Sequence, residues 1–310
     1  MGKIKDILSL LRVQQWYKSA VLLVGPLFSG ALTNLNFYPS LILGLIYVSF
    51  ASSFNYIMND LLDIEKDRQH PEKLKKRPLA AGRMSKTEGV FFFIIVGFIA
   101  FVGSYLLNFF VFLMVIAIVV NGTIYNLVLK HYAFVDILTL SMVYIWRALA
   151  GCYIVNAFIS PWLIVAIFLL AMYLVICKRR ADLEFIGQEN AVNHKEVYDQ
   201  YSLPLLDMLH NLTATSLFLV YTLYTILGPF DAKYSSIISD NRSFLLFSIP
   251  VALYLIMRYS YLMTAKSEVA RSTERVFFDK GIIIGGLILM VIFLLTIYVP
   301  VNVLNVPLMP

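Results

Sequence analysis

Charge and cysteine are both scarce in this sequence, and their scarcity restricts what the protein can be. Only 14% of the 310 residues are charged, whereas a soluble globular domain carries about 25%. The two cysteines, Cys152 and Cys177, both lie in apolar stretches. They provide no disulfide framework, no metal-ligand spacing and no evident nucleophile site. The four histidines also lack paired ligand spacing, so we interpret them as ordinary polar residues.

A cleavable signal pattern is also missing from the first 18 residues. We therefore expect residues 1–18 to remain as an N-terminal amphipathic segment that lies on the membrane surface. The segment combines basic residues with apolar ones at helical spacing. The basic residues are Lys3, Lys5, Arg12 and Lys18, and the apolar residues are Ile4, Ile7, Leu8, Leu11 and Trp16.

Apolar residues, by contrast, are abundant. They make up 60% of the chain, and the mean hydropathy is +0.78. Nine apolar stretches are each near the length of about 20 residues that crosses a bilayer core. Their approximate bounds are 19–32, 38–62, 85–107, 109–129, 133–156, 161–177, 203–227, 243–263 and 281–303. The sequence predicts an all-α polytopic membrane protein with nine transmembrane helices, in a single integral-membrane domain over residues 1–310. Ser85 and Glu88 have the spacing of a capping box at the start of the third span.

Basic residues are concentrated in the loops that alternate on one side of the predicted spans. The loops on the other side contain only Lys233 and Arg242. The positive-inside rule therefore places the N-terminus and the polar segments 63–86, 178–203 and 264–280 in the cytoplasm, with the protein in the plasma or inner membrane. Membrane topology and phosphate binding explain the net charge of +6, which requires no nucleic-acid partner.

Between the second and third spans lies a charged stretch, NDLLDIEKDRQHPEKLKKRPLAAG. A helix advances about 100° per residue, which brings four oxygen-bearing side chains to one face over about two turns. These are Asn59, Asp60, Asp63 and Asp67. Hard cations prefer oxygen ligands and commonly bind through a few carboxylates and a substrate phosphate. We therefore predict that all four bind Mg²⁺, with Mn²⁺ as the alternative, and that Asn59, Asp63 and Asp67 are catalytic.

The basic residues of this stretch are available to neutralise phosphate charge that a metal leaves uncompensated. We assign this role to Arg68, Lys73, Arg77 and Arg83. A solvated loop is the simpler interpretation of any charged stretch between two spans. Two features favour a binding site instead. The carboxylates begin inside an apolar helix, where ionisable groups are costly and usually functional, and they recur at helical spacing.

The same stretch resembles the NDxxDxxxD signature of the UbiA superfamily of intramembrane prenyltransferases. The nine-span layout agrees with that superfamily over essentially the whole chain. The resemblance implies a UbiA-like helical bundle in which the signature binds Mg²⁺ and a diphosphate. With the predicted topology, the site would open to the cytoplasmic face.

Three further stretches resemble one branch of the superfamily, the decaprenyl-phosphate phosphoribosyltransferases. They read RVQQWYKSAVLLVGPLFSGAL, YNLVLKHYAFVDILTLSMVYIWRALAG and KRRADLE, and they begin at Arg12, Tyr125 and Lys178. The branch implies a transferase that moves 5-phosphoribose from phosphoribosyl diphosphate to a polyprenyl phosphate, for cell-envelope glycolipid precursors. The nucleophile would be a lipid phosphate that is already an anion, so no strong general base would be required.

The segment after the sixth span distinguishes the candidate donors. Superfamily members that use prenyl diphosphates typically carry a second aspartate pair, DxxxD, at this place, whereas this chain reads KRRADLE. Cations there suit a donor with an additional 5-phosphate, together with an anionic acceptor. We therefore assign phosphate or substrate binding to a further set of residues. These are Lys18, Tyr125, Lys130, Arg147, Lys178, Arg179 and Glu184.

Several of these assignments have simpler alternatives. The basic run at Lys178 is also typical of a positive-inside anchor at a span end, and Tyr125 is also typical of an interfacial aromatic residue. Arg147 lies within a span and needs an anionic partner, which is either Asp136 on the same helix or the substrate. At the level of function, the alternatives are prenyl transfer to an aromatic or other acceptor, and a transporter or flippase. A transporter is disfavoured because the sequence shows no clear internal repeat.

Overall fold

A computed structural model describes residues 2–69, 71–158, 160–187, 196–227, 242–265, 273–276 and 278–299. Within these residues, eight helices are long and apolar enough to cross a membrane. Large apolar side chains are exposed on their surfaces, for example Phe98 at 65% and Leu106 at 77%. Such surfaces are typical of contact with lipid. The prediction of an all-α polytopic membrane protein is confirmed, with eight long helices described where nine spans were expected.

The structure describes thirteen α-helices. In chain order they are α1 (Lys3–Leu10), α2 (Val24–Phe28), α3 (Tyr38–Leu62), α4 (Ile64–Arg68), α5 (Pro71–Lys76), α6 (Lys86–Leu107), α7 (Phe109–Leu127), α8 (Val135–Val155), α9 (Pro161–Ile186), α10 (Leu203–Leu227), α11 (Ser248–Ala265), α12 (Thr273–Val276) and α13 (Lys280–Tyr298). Three 3₁₀ helices are relevant to the site, and they are Val13–Leu23, Leu129–His131 and Glu196–Gln200.

Most predicted spans agree with observed helices to within a few residues. The predictions for α3 and α10 are correct at both ends, because polar residues or turns interrupt the apolar run there. The capping box at the start of α6 is also confirmed. Ser85 Oγ accepts from the Glu88 amide at 3.1 Å, and the Glu88 carboxylate accepts from the Ser85 amide at 2.9 Å.

The first predicted span, 19–32, is not a continuous α-helix. The chain forms the 3₁₀ helix Val13–Leu23 and then the five-residue α2. Pro26 lies in the first turn of α2, where its missing amide hydrogen is tolerated. In an α-helix that began earlier, Pro26 would remove a hydrogen bond and clash with the carbonyl four residues before it. Gly30 then turns the chain with a φ of 73°. The N-terminal helix is likewise shorter than predicted and ends at Leu10.

The sixth predicted span is too short. We expected it to end at Cys177, but α9 continues to Ile186 and includes the whole KRRADLE stretch. The predicted ninth span corresponds to α13, which ends at Tyr298, and residues 300–303 of that prediction lie outside the described residues.

The chain forms two compact units. The first comprises Met1–Leu27, Asn34–Val128 and Met142–Ala157, and the second comprises Phe28–Thr33, Leu129–Ser141 and Phe158–Pro310. Helix α8 contributes its first turns to the second unit and the remainder to the first. The single domain that the sequence suggests stays a prediction.

Helix α3 is central to the first unit, where α6 and α7 pack along it. A buried cluster of Leu10, Ile57, Leu79, Met84 and Val96 joins α1, α3 and α6. Close approach between elements depends on small residues, as is usual in membrane helix packing. A Cβ atom on Gly151 would lie 1.8 Å from the carbonyl oxygen of Leu22, so only glycine fits there.

The second unit is built around α9 and α10, and α11 packs with α13. One buried cluster includes Tyr173, Cys177 and Met263. Another includes Ile137, Ile176, Leu183, Tyr198 and Tyr201, and it covers the charged end of α9.

Candidate functional site

The predicted metal-binding face begins at the end of α3, but the helix is interrupted there. Asp63 has φ −101° and ψ 14°, between the last residue of α3 and the first of α4. The helical hydrogen bonds continue across the break. The Asp63 backbone amide donates to the Asn59 carbonyl oxygen at 3.0 Å, and the Asp67 backbone amide donates to the Asp63 carbonyl oxygen at 2.8 Å. The four predicted ligands therefore remain on adjacent turns of a kinked segment.

Two of the predicted ligands, Asp60 and Asp67, are buried at 2% and 1% exposure. Three cationic side chains form ion pairs with these two carboxylates. Arg77 pairs with both carboxylates, at 3.1 Å from Asp60 Oδ1 and in close contact with Asp67 Oδ2. Lys73 Nζ lies 3.0 Å from Asp67 Oδ1, and Arg12 Nη2 lies 2.7 Å from Asp60 Oδ1. The carboxylates are buried because cations compensate them, as burial of charge requires.

Asn59 connects the remaining carboxylate to this network. When its amide is oriented to satisfy both neighbours, Asn59 Nδ2 donates to Asp63 Oδ2 at 3.2 Å, and its oxygen accepts from Arg77 Nη1 at 3.2 Å. Arg77 Nη1 thus lies among oxygen atoms of Asn59, Asp60 and Asp67. We refer to these residues together with Asp63, Arg12 and Lys73 as the α3–α4 cluster.

The donor set of the α3–α4 cluster suits a hard cation, since it consists of one amide oxygen and three carboxylates. The oxygen atoms already surround a positive charge, the guanidinium of Arg77. The carboxylates alone do not form a metal cage. Within the described residues, no group of three His, Cys, Asp or Glu side chains is arranged to hold a metal ion. Mg²⁺ typically completes its coordination with water and substrate phosphate, so the residues fit a site of that kind.

The other predicted phosphate ligands of the first unit lie in different surroundings. Arg68 is exposed and pairs with Glu65, whereas Arg83 pairs with Asp6 of α1 at 2.7 Å. Lys18 lies in the 3₁₀ helix and donates to Gln15. Tyr125 is half-buried in the last turn of α7. Their substrate contacts stay predictions.

Arg147 is 4% exposed within α8, and Asp136 is not its ion-pair partner. The carboxylate of Asp136 pairs with Arg179 instead. Arg147 Nη2 donates to Ser52 Oγ at 3.0 Å, its guanidinium lies over the ring of Tyr144, and its Nε has no hydrogen-bond partner. Among the described residues no carboxylate forms an ion pair with it. A substrate contact is the alternative that stays open.

The second unit contains its own charged group, on the last turns of α9. Arg179, at 3% exposure, pairs closely with Asp136, which is fully buried. Tyr201 donates its hydroxyl hydrogen to Asp136 Oδ1 at 2.7 Å, and the same hydroxyl accepts from the Phe134 amide. Burial raises the pKa of Tyr201, so its hydroxyl stays protonated and continues to donate.

The neighbouring charges of α9 are also paired within the helix and with α10. Arg180 Nε lies 2.7 Å from Asp207 Oδ1, and its Nη1 lies 2.6 Å from Glu184 Oε2. Tyr198 donates to Asp182 Oδ2 at 2.9 Å, and burial raises the pKa of Tyr198 above its ordinary value. We refer to these residues as the α9 cluster. Its members are Asp136, Arg179, Arg180, Asp182, Glu184, Tyr198, Tyr201 and Asp207.

Two predicted phosphate ligands of the second unit lie nearer the surface. Lys178 is exposed on α9, and Lys130 is half-buried in the 3₁₀ helix Leu129–His131. The residues of the KRRADLE stretch therefore differ in their exposure. Arg179 and Glu184 have partners in the α9 cluster, and Lys178 is an exposed residue of α9. The assignment of all three to phosphate stays a prediction.

Sequence reasoning missed Arg12 as a member of the α3–α4 cluster. Arg12 lies 48 residues before its partner Asp60, and its charge was attributed to membrane topology. A signal was available in the stretch that begins RVQQWYK, which carries the resemblance to the phosphoribosyltransferase branch. The arginine-to-aspartate pairing itself is a tertiary contact and has no local pattern.

Comparison with known proteins gives this geometry a context. The model of the UbiA prenyltransferase family matches residues 20–278. The decaprenyl-phosphate phosphoribosyltransferase of Mycobacterium tuberculosis is 27% identical over 225 residues, which cover 71% of this chain and 74% of that protein. The protein of the same name from Corynebacterium glutamicum is 27% identical over 222 residues, covering 69% and 65%.

Solved structures agree with the fold. A UbiA homologue from Archaeoglobus fulgidus bound to GPP and Mg²⁺ superposes with a TM-score of 0.68 at 18% identity, covering 94% of this chain and 99% of that one. At this identity the likeness is one of fold alone.

Proposed function

The chain belongs to the UbiA prenyltransferase family, and we propose that it transfers 5-phosphoribose from phosphoribosyl diphosphate to a polyprenyl phosphate. It is a multi-pass membrane protein and a transferase. The finer proposal is supported by the named phosphoribosyltransferases at 27% identity. The observation that carries the binding of a diphosphate donor is the α3–α4 cluster, in which three cations gather on two buried carboxylates.

The proposed reaction exchanges one C–O bond for another. The bond between C1 of the ribose and the diphosphate breaks, and a lipid phosphate oxygen forms the new bond to C1. Diphosphate leaves with the bonding electrons. The acceptor oxygen is already anionic, so no protein group has to remove a proton. The protein has to hold two highly charged groups in line and stabilise the leaving group.

In the proposal, Asn59, Asp60, Asp63 and Asp67 hold the divalent cation. When bound, Mg²⁺ supplies a positive charge that stabilises the departing diphosphate. Arg77 and Lys73 are within reach of the same carboxylates, and they bind diphosphate oxygens that the cation leaves uncompensated. Lys178 and Lys130 stay proposed ligands of a substrate phosphate.

We further propose that the site and the N-terminus face the cytoplasm, as the distribution of basic residues predicts. The Lys75→Cys substitution, at an exposed position of α5, tests this orientation. The native Cys152 and Cys177 are buried and provide a low background. The introduced cysteine should react with a membrane-impermeant maleimide only in inverted vesicles. Reaction in intact cells would reverse the proposed topology.

The function is tested with purified protein, Mg²⁺, donor labelled in the ribose, and polyprenyl phosphate. Label should enter the organic phase, and it should not do so with the Asp67→Asn variant. The same protein is then given geranyl diphosphate and an aromatic acceptor. Faster turnover of that pair would show that the chain is a prenyltransferase in the strict sense. Movement of polyprenyl phosphate across liposomes without turnover would indicate a transporter.

A further inference from the structure

Arg12 has a backbone conformation that its side chain disfavours. Its φ of 50° and ψ of 44° are left-handed, and the described residues with positive φ other than glycine are Arg12, Phe134 and Asn156. The position directly follows the C-cap of α1, where a left-handed residue usually ends the helix. Glycine is the common residue there because it has no Cβ atom. The helix end explains the conformation but does not explain why the residue is arginine.

The side chain of Arg12 lies inside the α3–α4 cluster. Its Nη2 is 2.7 Å from Asp60 Oδ1, and its guanidinium stacks over the Tyr56 ring at 4.4 Å from the centroid. Asp60 Oδ1 also contacts Arg77 at 3.1 Å. One carboxylate oxygen thus contacts two guanidinium groups. Arg77 is shared with Asp67, whereas Arg12 pairs with Asp60.

The backbone on both sides of Arg12 is held by other contacts. Ser53 Oγ donates to the Leu11 carbonyl at 2.7 Å, and Trp16 Nε1 donates to Ser53 at 3.1 Å. Ser9 Oγ donates to the Lys76 carbonyl at 2.7 Å. The segment is therefore attached to α3 and to the end of α5 without the Arg12 side chain. A purely structural role for the guanidinium is not needed to explain the fold of the segment.

We propose that Arg12 is a ligand for the diphosphate of the substrate and that Asp60 positions it. This inference rests on the proposed function. The left-handed conformation directs a cation from the N-terminal segment to the carboxylates that would hold the metal. The side chain of Arg12 is 19% exposed, so the protein does not enclose it fully. The planar guanidinium is suited to bind two oxygen atoms of a phosphate group.

The test measures binding of inorganic diphosphate with Mg²⁺ by calorimetry, and thermal unfolding, on the full-length protein in detergent. Arg12→Gln should weaken diphosphate binding roughly tenfold, as expected for loss of a charge-assisted contact, and Arg12→Lys should recover part of the loss. Arg12→Gly should weaken binding as much as Arg12→Gln, and its Tm should equal or exceed that of the wild type, because glycine accepts the left-handed conformation. The KM for the ribosyl donor should rise in parallel, with a smaller change in kcat.

Arg258→Gln is the matched control, since it breaks an arginine–aspartate pair with Asp279 in the second unit. It should lower Tm and leave diphosphate binding unchanged. Wild-type affinity in Arg12→Gln and Arg12→Gly would overturn the inference and leave the proposed function standing. A loss of binding matched by a fall in Tm in all three Arg12 variants would assign Arg12 a structural role. A wild-type protein that does not bind Mg²⁺ and diphosphate would overturn both proposals.

Discussion

The α3–α4 cluster and the α9 cluster both lie at the end of a long helix, but their charges are balanced differently. In the α3–α4 cluster, Asp60 and Asp67 are buried, and the three cations that hold them keep 19–23% of their side-chain surface exposed. In the α9 cluster, Arg179 and Asp136 are both buried, at 3% and 0% side-chain exposure. One cluster has its cations on the outside, and the other encloses an ion pair.

This difference indicates which charges can take part in binding. A cation that is partly exposed can contact a phosphate while it keeps its carboxylate partner. A buried ion pair cannot, because removing one partner leaves an uncompensated charge in a low-dielectric environment. We therefore expect substitutions in the α3–α4 cluster to change binding and catalysis, and substitutions in the α9 cluster to change stability first.

The largest effect is expected for Asp67→Asn. Asp67 would lose its charge and its pairs with Arg77 and Lys73, so we expect turnover to fall at least about a thousandfold, or ~4 kcal/mol of transition-state stabilisation. The variant should remain folded in detergent. Glu65→Gln is the control, because Glu65 lies in the same helix with 82% of its side chain exposed. Retention of a tenth of the wild-type rate by Asp67→Asn at saturating Mg²⁺ would remove Asp67 from the site.

Asp136→Asn should have the next largest effect, and on stability. It leaves the buried Arg179 without its carboxylate, which should lower the free energy of unfolding by about 3 kcal/mol. Replacing both residues, as Asp136→Asn with Arg179→Met, should restore most of that loss, since no charge is then left unpaired. Unfolding in a denaturing detergent titration measures both variants. If Asp136→Asn is as stable as the wild type, the two clusters do not differ in the way described.

Lys178→Gln compares an exposed residue of the KRRADLE stretch with its buried neighbour Arg179. Lys178 is exposed while its neighbour Arg179 is enclosed. We expect the apparent KM for the ribosyl donor to rise roughly tenfold, or about 1.4 kcal/mol, with little change in Tm or in the KM for the lipid. Arg179→Gln should instead lower Tm. A selective rise in donor KM for Arg179→Gln at unchanged Tm would show that Arg179 binds phosphate despite its burial.

The smallest effect concerns an ion pair outside both clusters. Hydrogen bonds from Arg258 lower the pKa of Asp279 from 3.8 to about 2. A lowered folded-state pKa contributes stability that is present above the unfolded value and is lost as the pH falls through the folded value. The Tm difference between the wild type and Arg258→Gln should thus be constant above about pH 4 and shrink between pH 3.8 and 2. A difference as large at pH 2 as at pH 7 would contradict this assignment.

The sequence predicted the long helices well where polar residues, glycine or proline bound the apolar run, as for α3 and α10. The prediction failed where tertiary contacts determine the end of a helix. Lys178, Arg179 and Arg180 are polar enough to end a span, yet α9 continues through them because Asp136, Asp207 and Glu184 lie in position to pair with the two arginines. For the first span, Pro26 was the local residue that indicated an interrupted helix.

For the candidate site, helical spacing placed Asn59, Asp60, Asp63 and Asp67 on one face, because helical periodicity is a local property, and their metal binding stays a prediction. The cations around them were only partly predictable. Lys73 and Arg77 follow within the same stretch, but Arg12 reaches Asp60 from another part of the chain through a left-handed turn. No residue pattern near Arg12 encodes that turn, since arginine disfavours it.

The attachments of α1 have a consequence for how the protein is made. Its contacts reach far ahead in the chain, since the Asp6–Arg83 pair spans 77 residues and the Ser9–Lys76 hydrogen bond spans 67. At a synthesis rate of 5–20 residues per second, α1 leaves the ribosome about 4–15 seconds before Arg83 does. Its exposed Ile4 and Leu8 give it an apolar face to rest on the bilayer during that interval. Synthesis must therefore pass α3 and reach Arg83, just before α6, before the N-terminal helix can make both contacts.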